Sequence, residues 1–403
     1  MPQRLLPSWD SVLHALSRES ASSVSSLVRL STDALYISRP TPFPLRDAAG
    51  RVLVERGVTL VDDDATRALL RRGLWVDTHD AGDPGVLPGL ERVAAPTADS
   101  DRSDTLYWQA LRRSTSTLLR APREPRFLSH LRELQDELMQ QLERHQNRTL
   151  LALTHAAAHP DDDRSAGHAL LCAVVATLMA RRIPALTLLE REALSLAALT
   201  MNLSITPLYD TLAGQTQPPT PDQRQLLAGH ARASARLLEQ LGVIDPNWVQ
   251  AVAHHHDATC GPLASRLRPL MLARMLQRVD LFATLLSPEP HRAASSPADA
   301  AQAAYHAEDG LPDEAGMLLI RAVGIYPPGC MVRLANGDLA IVVGCGSRPQ
   351  WPVVATIASR EGLAPSTPVL RPSGDAEFGV VEALPPRQAW RTPALAELLP
   401  LTA

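Results

Sequence analysis

The chain contains no lysine: all 39 of its basic residues are arginine. Lysine nucleophiles, lysine Schiff bases and P-loop lysines are therefore excluded. A codon bias that also favours Ala, Arg, Pro and Leu accounts for the absence without any functional cause. The four cysteines, Cys172, Cys260, Cys330 and Cys345, are scattered and form no CxxC pair, which argues against a disulfide framework or a cysteine-rich zinc site. Aromatic residues make up only 4%, so Leu, Ala and Val must fill the core. The net charge of −4 supplies no basic field, and no nucleic-acid polymer is expected as a partner. No apolar leader follows Met1; Asp10, His14 and Arg18 come early. The longest apolar run, Ala169 to Ala180, falls short of the roughly 20 residues that span a bilayer and reads as a buried helix. No membrane span and a cytoplasmic location are expected. GxGxxG, GxxxxGKS, GxSxG and HExxH are all absent.

What is present is a chain of 403 residues with 45% hydrophobic and 20% charged residues, enough for two or three folded domains. Residues 9–30 read as an amphipathic helix. From Pro44 to Asp77 the pattern becomes α+β: a turn at Asp47–Gly50, strands at Val52–Val54 and Val58–Val61, then a short helix over Ala65–Arg72 capped by Asp62–Asp64. Residues 1–80 thus form an N-terminal module, and 81–103 read as a Gly-, Pro-, Ala- and Asp-rich linker. Connecting helices fill 104–148, among them a charged amphipathic helix over Arg126–Gln146 that could serve a homodimer. Residues 149–325 read as an all-α core of five to seven helices, broken at Asp161–Arg164, Gln215–Pro221, Gly242–Pro246, Ala258–Ser265 and Ser287–Pro297. Residues 326–403 turn to strands, with Asn336-Gly337-Asp338 as a hairpin turn and Pro352–Ile357 as a partner strand. The expected fold class is mainly α, with a small N-terminal α+β module and a short C-terminal β extension.

The helical core holds most of the 13 histidines. His168 opens an apolar helix, His230 follows Leu226-Leu227 on another, and His254-His255-His256-Asp257 ends a third. Asp280 lies inside the apolar stretch Leu276 to Phe282, where a carboxylate is costly unless paired or metal-bound. Singly, each has an ordinary structural reading: a satisfied core histidine, a histidine complement to a helix C-terminus, a carboxylate paired with Arg278 or another arginine. Together, on successive helices, they form a candidate metal set, His168, His230, His255, His256 and Asp280, of a type that suits Mn, Fe or Zn. His159-Pro160-Asp161-Asp162-Asp163 lacks the glycine and terminal glutamate of a calcium loop and reads as a solvated loop and helix cap.

The order and spacing of these residues resemble the HD-GYP family of metal-dependent cyclic di-GMP phosphodiesterases. His168 stands at that family's first ligand, with His155 and His159 as alternatives in a stretch with few anchors. Ala197 to Leu203, AALTMNL, lies on the family's AALLHDI; His230 comes 28 residues after Asn202; His255-His256-Asp257 lies on HHE. Asp280 to Arg292 lies without a gap on the stretch DvfdALtsdRpYR, which makes Arg292 a candidate phosphate contact, and Gly324 to Gly329 resembles the start of the C-terminal extension.

The departures are as specific. The His-Asp pair that names the family is Met201-Asn202, and the lysine that follows it is Ile205. The resemblance implies that this pair binds one metal and bridges two; a thioether and a neutral amide suit neither role. The GYP loop is absent, with Asp280 only 24 positions after His256. No catalytic residue can be assigned from the sequence. The resemblance implies one divalent ion (Mn, Fe or Zn) or none, and cyclic di-GMP or a related nucleotide as ligand. The expected function is a catalytically impaired binding or interaction module, with a signalling protein as a candidate partner. The alternative is an active phosphodiesterase with a reduced metal site.

Overall fold

The computed structural model describes residues 27–30, 41, 44–47, 49–58, 69, 74–77, 101–159, 163–257, 261–289, 292–365, 367–384 and 393–402. The chain divides into two compact units, Met1–Asp99 and Ser100–Ala403.

In the first unit, β1 (Leu27–Leu30), β2 (Leu45–Arg46), β3 (Val52–Val54) and β4 (Leu74–Asp77) form an antiparallel sheet in the order β1-β4-β2-β3. Among its described side chains, Leu45, Val54 and Leu74 are buried. The expected turn is formed: Asp47 Oδ1 accepts from the backbone of Ala49 and Arg51, and Gly50 takes φ +81°. The helix expected over residues 9–30 is corrected at its end, because Leu27–Leu30 pairs with Asp77–Leu74 as a strand. A four-residue apolar stretch carries too little periodicity to separate helix from strand, and the β4 ladder decides. The rest of that helix, the 59–61 part of the second strand and the 65–72 helix apart from helical Leu69 lie outside the described residues.

The second unit is helical, with a sheet at its C-terminal end. Its helices are α1 (Asp101–Arg120), α2 (Phe127–Arg144), α3 (Gln146–Ala158), α4 (Arg164–Ala180), α5 (Leu188–Thr200), α6 (Thr206–Gly214), α7 (Pro221–Gln240), α8 (Pro246–His254), α9 (Arg268–Leu286), α10 (Pro297–Tyr305) and α11 (Glu314–Val323). The helical region therefore has more breaks than expected. Arg181–Thr187, 201–205 and 306–313 also interrupt it.

Helix α4 is the axis of the unit. Every residue from Arg164 to Ala180 is buried, as a largely apolar helix demands, and α1, α3, α5, α9 and α11 pack around it. Local signals set the helix starts: capping boxes at Thr187/Glu190 and Thr220/Gln223, and Asp245 on Asn247 N with Pro246 at the first helical position. The apolar face of α2 (Phe127, Leu131, Leu134, Leu138 and Leu142) is buried within this same chain. At the C-terminal end, β5 (Met331–Leu334), β6 (Leu339–Arg348), β7 (Trp351–Ala358), β8 (Val369–Pro372) and β9 (Val380–Ala383) pair antiparallel in the order β8-β7-β6-β5-β9. The hairpin turns at Gly337, φ +90°, as Asn336-Gly337 predicts. Asn147 Oδ1 accepts from Cys345 N at 2.9 Å and fastens β6 to α3. The expectation of a mainly α fold with small flanking β parts is met. No described helix is long and apolar enough to cross a membrane.

Candidate metal centre

The five candidate ligands come from four places in the second unit: His168 on α4, His230 on α7, His255 and His256 just past α8, and Asp280 on α9. The fold sorts them into two groups.

The first group is a histidine trio. The candidate ligand atoms of His230, His255 and His256 lie within 4.8 Å of one another. His230 Nδ1 is 2.6 Å from Leu227 O and His255 Nδ1 is 2.7 Å from Val252 O. A carbonyl only accepts, so we assign the proton to Nδ1 in both rings. Each Nε2 is then left with a lone pair, and these two Nε2 atoms are 3.3 Å apart. His256 Nε2 is also 3.3 Å from His230 Nε2. Facing lone pairs repel unless a cation lies between them. A shared proton is a poor candidate. Burial, reinforced by His256, pushes the His255 pKa down to about 3, and burial lowers that of His230 as well.

A divalent ion fits. Four ligands at about 2.0–2.1 Å in tetrahedral array stand roughly 3.3–3.4 Å apart, close to the 3.3 Å from His230 Nε2 to each of the other two rings. Backbone carbonyls that hold the Nδ1 protons and aim the Nε2 lone pairs are also the usual support for metal-bound imidazoles.

The second group is a hydrogen-bonded chain. His168, 4% exposed on the all-buried helix, needs partners on both ring nitrogens. Its Nε2 lies 2.9 Å from Asp280 Oδ1, and its Nδ1 lies 3.3 Å from the Tyr209 hydroxyl of α6. Burial and the Asp280 charge hold the Tyr209 phenol well above its ordinary pKa, so it is a donor. Burial alone would raise the Asp280 carboxyl, but the His168 bond, with the charges of His168, His255 and His256, holds it far below the usual range. Asp280 also acts electrostatically on His230 and His255, so the two groups adjoin.

The remaining candidates make other contacts. Met201, 1% exposed, belongs to the hydrophobic core, and Ile205 is buried. Asn202 precedes the short 3-10 turn Leu203–Ile205, and its carbonyl accepts from Ile205 N. The Arg292 guanidinium is committed to the carbonyls of Thr284, Leu285 and Ser287 at the end of α9 and lies 3.3 Å from Glu289. His254 pairs with Asp257 and Gln250. His155 and His159 stack on each other at 4.4 Å. Arg278, weighed from sequence as a partner of Asp280, instead binds His306 O and Glu308.

Sequence reasoning missed Tyr209 and Asp210. Asp163 precedes α4 but makes no side-chain cap. Asp210 Oδ1 reaches across to Ser165 N at 2.8 Å while its Oδ2 pairs with Arg120 at 2.6 Å. The cap expected from the Asp161–Asp163 run is corrected in this respect for Asp163; Asp161 and Asp162 lie outside the described residues. A tyrosine-aspartate pair in an ordinary helical stretch gives no local signal for such roles.

No protein-family model matches the chain. The chain is similar to the Cyclic di-GMP phosphodiesterase PA4108 of Pseudomonas aeruginosa, with 26% identity over 219 residues. That match takes in 53% of this chain and spans about half, 52%, of the relative. Among solved structures it is similar to Bd1817, described as an HDG"Y"P protein from Bdellovibrio bacteriovorus, with a TM-score of 0.41, 13% identity, and coverage of 73% of this chain and 98% of that one. The ordered motifs from His168 to Arg292 and the match to the phosphodiesterase both support a relationship to the HD-GYP family.

Proposed function

We propose that the chain is a degenerate HD-GYP-like protein that holds one divalent ion (Mn, Fe or Zn) on His230, His255 and His256. In this reading its catalysis is impaired, and it works as a binding or interaction module for cyclic di-GMP or a related nucleotide. Residues 149–325 are the functional domain, and residues 1–80 and 326–403 flank it. The observation that carries the reading is a trio of converging imidazole nitrogens with no carboxylate among them. A divalent ion held there would supply Lewis acidity toward a phosphoryl oxygen or a water. The protein's own part is to present three imidazoles, two of them fixed by Leu227 O and Val252 O. A second ion would need a bridging group, and the positions from which the family supplies it hold Met201 and Asn202. Arg292 is given no phosphate role, because its guanidinium already serves the end of α9.

The nucleotide comes from the similarity to a cyclic di-GMP phosphodiesterase. The test is cyclic di-GMP turnover with Mn, and with Fe under reducing conditions, for wild type and His256→Ala, alongside equilibrium dialysis of the dinucleotide. Binding without turnover is the expected result. Turnover that vanishes in His256→Ala would establish the second reading, an active phosphodiesterase with a reduced site. Neither binding nor turnover would remove cyclic di-GMP as the ligand. The second reading draws on the pre-set tautomers of His230 and His255, an arrangement useful to a working metal site.

A further inference from the structure

We infer that Tyr209 is a positioning residue that withdraws His168 from metal coordination, which leaves His230, His255 and His256 as the imidazole ligands. The inference goes beyond the proposed function, which it uses only for the count of one ion.

The argument rests on the direction of each hydrogen bond. The Asp280 carboxylate can only accept, so the ring proton of His168 sits on Nε2, the atom that faces Asp280 Oδ1 at 2.9 Å. Nδ1 of the neutral ring is then an acceptor, and the Tyr209 hydroxyl, 3.3 Å away, is its donor. His168 therefore has no lone pair free for an ion. The same bond occupies one oxygen of Asp280. In His230 and His255 the arrangement is reversed: Nδ1 carries the proton and Nε2 the lone pair. One site thus holds histidines set as metal ligands, while the adjoining one holds a histidine set as a donor.

Tyr209 is itself held in place. Arg164 lies over its ring at 5.4 Å, and the next residue, Asp210, binds Ser165 N, Ser165 Oγ and Arg120. These bonds fasten α6 across the first turn of α4, where His168 begins the second. Withdrawing Tyr209 would mean breaking that attachment, so the donor state of His168 is built into the packing of α6 on α4.

The test uses the full chain labelled with nitrogen-15 at histidine and titrated with zinc. In the wild type, zinc is expected to shift the ring signals of His230, His255 and His256, while His168 keeps its Nε2–H form. In Tyr209→Phe, which keeps the ring and removes the hydroxyl, zinc is expected to shift His168 as well. A His168 that responds to zinc in the wild type overturns the inference, and so does a His168 that responds in neither protein. Should Tyr209→Phe fail to fold, His168→Gln decides. Zinc affinity within about threefold of wild type, at one ion per chain, supports the inference; loss of the ion overturns it. If zinc moves no histidine in the wild type, the metal reading under the proposed function fails separately. The Tyr209→Phe comparison then still shows whether the hydroxyl is what bars zinc from His168.

Discussion

His230 and His255 meet Nε2 to Nε2 at 3.3 Å, each with its other ring nitrogen turned to a backbone carbonyl. Two buried lone pairs so placed are under electrostatic strain that a cation relieves. Zinc or manganese should therefore stabilise the folded chain. Saturation at about a hundred times Kd is worth about 2.7 kcal/mol, read as a rise in Tm of several degrees that a chelator reverses. His230→Ala is expected to abolish the metal-dependent rise. A rise of equal size in that variant would place the ion elsewhere.

Asp210 connects three elements, because it caps α4 at Ser165 and pairs with Arg120 of α1. Asp210→Ala leaves Ser165 N without its acceptor. A lost cap of this kind costs about 1 kcal/mol, measured as a lower urea midpoint at unchanged m-value. Asp210→Asn, which keeps an acceptor, is expected to recover part of the loss. No difference between the two variants would show that the cap contributes nothing.

The loop between α10 and α11 is held to α9 by charge. Arg274 bonds Glu308 and Asp313, while Arg278 pairs with Glu308 and donates to His306 O. Burial by itself would raise the Glu308 carboxyl, but Arg274 hydrogen bonds, its own backbone and the Arg278 charge bring it down to about 2. A carboxyl with a depressed folded pKa adds stability above its unfolded value, near 4.5, and that stability is lost as pH falls toward 2. Glu308→Gln should therefore melt below wild type at pH 7, with the gap closing between pH 5 and 2. The Glu308 side chain is 38% exposed, so water screens the pair and the gap at neutrality should be modest. A gap that holds constant across this range would show that the carboxylate charge is not what matters.

Gly316 on α11 has no room for a side chain. A Cβ there would stand 2.6 Å from Ala304 O and from Tyr305 O, both backbone atoms at the end of α10. Gly316→Ala must push two helices apart, and strain of this kind costs about 1–3 kcal/mol. Gly214→Ala, where a Cβ meets nothing within 4 Å, is the control and is expected to be close to neutral. Equal melting of the two variants would mean that the contact relaxes freely.

The sequence by itself determined the helical core and the C-terminal hairpin, and it singled out the five candidate ligands. Those features are written in local code: capping residues before Leu188, Pro221 and Pro246, an Asn-Gly turn, an apolar run at α4, and ligand-type residues at family spacing. The same local reading failed for Leu27–Leu30, where the decision rests with a strand more than forty residues away. Only the tertiary structure split the five candidates into a trio with lone pairs exposed to one another and a His168–Asp280 pair closed by Tyr209. The reason is physical. A histidine can accept or donate at either nitrogen, and its neighbours in space decide which. Leu227 and Val252, a turn before His230 and His255, set one tautomer, while Tyr209, far along the chain from His168, sets the other.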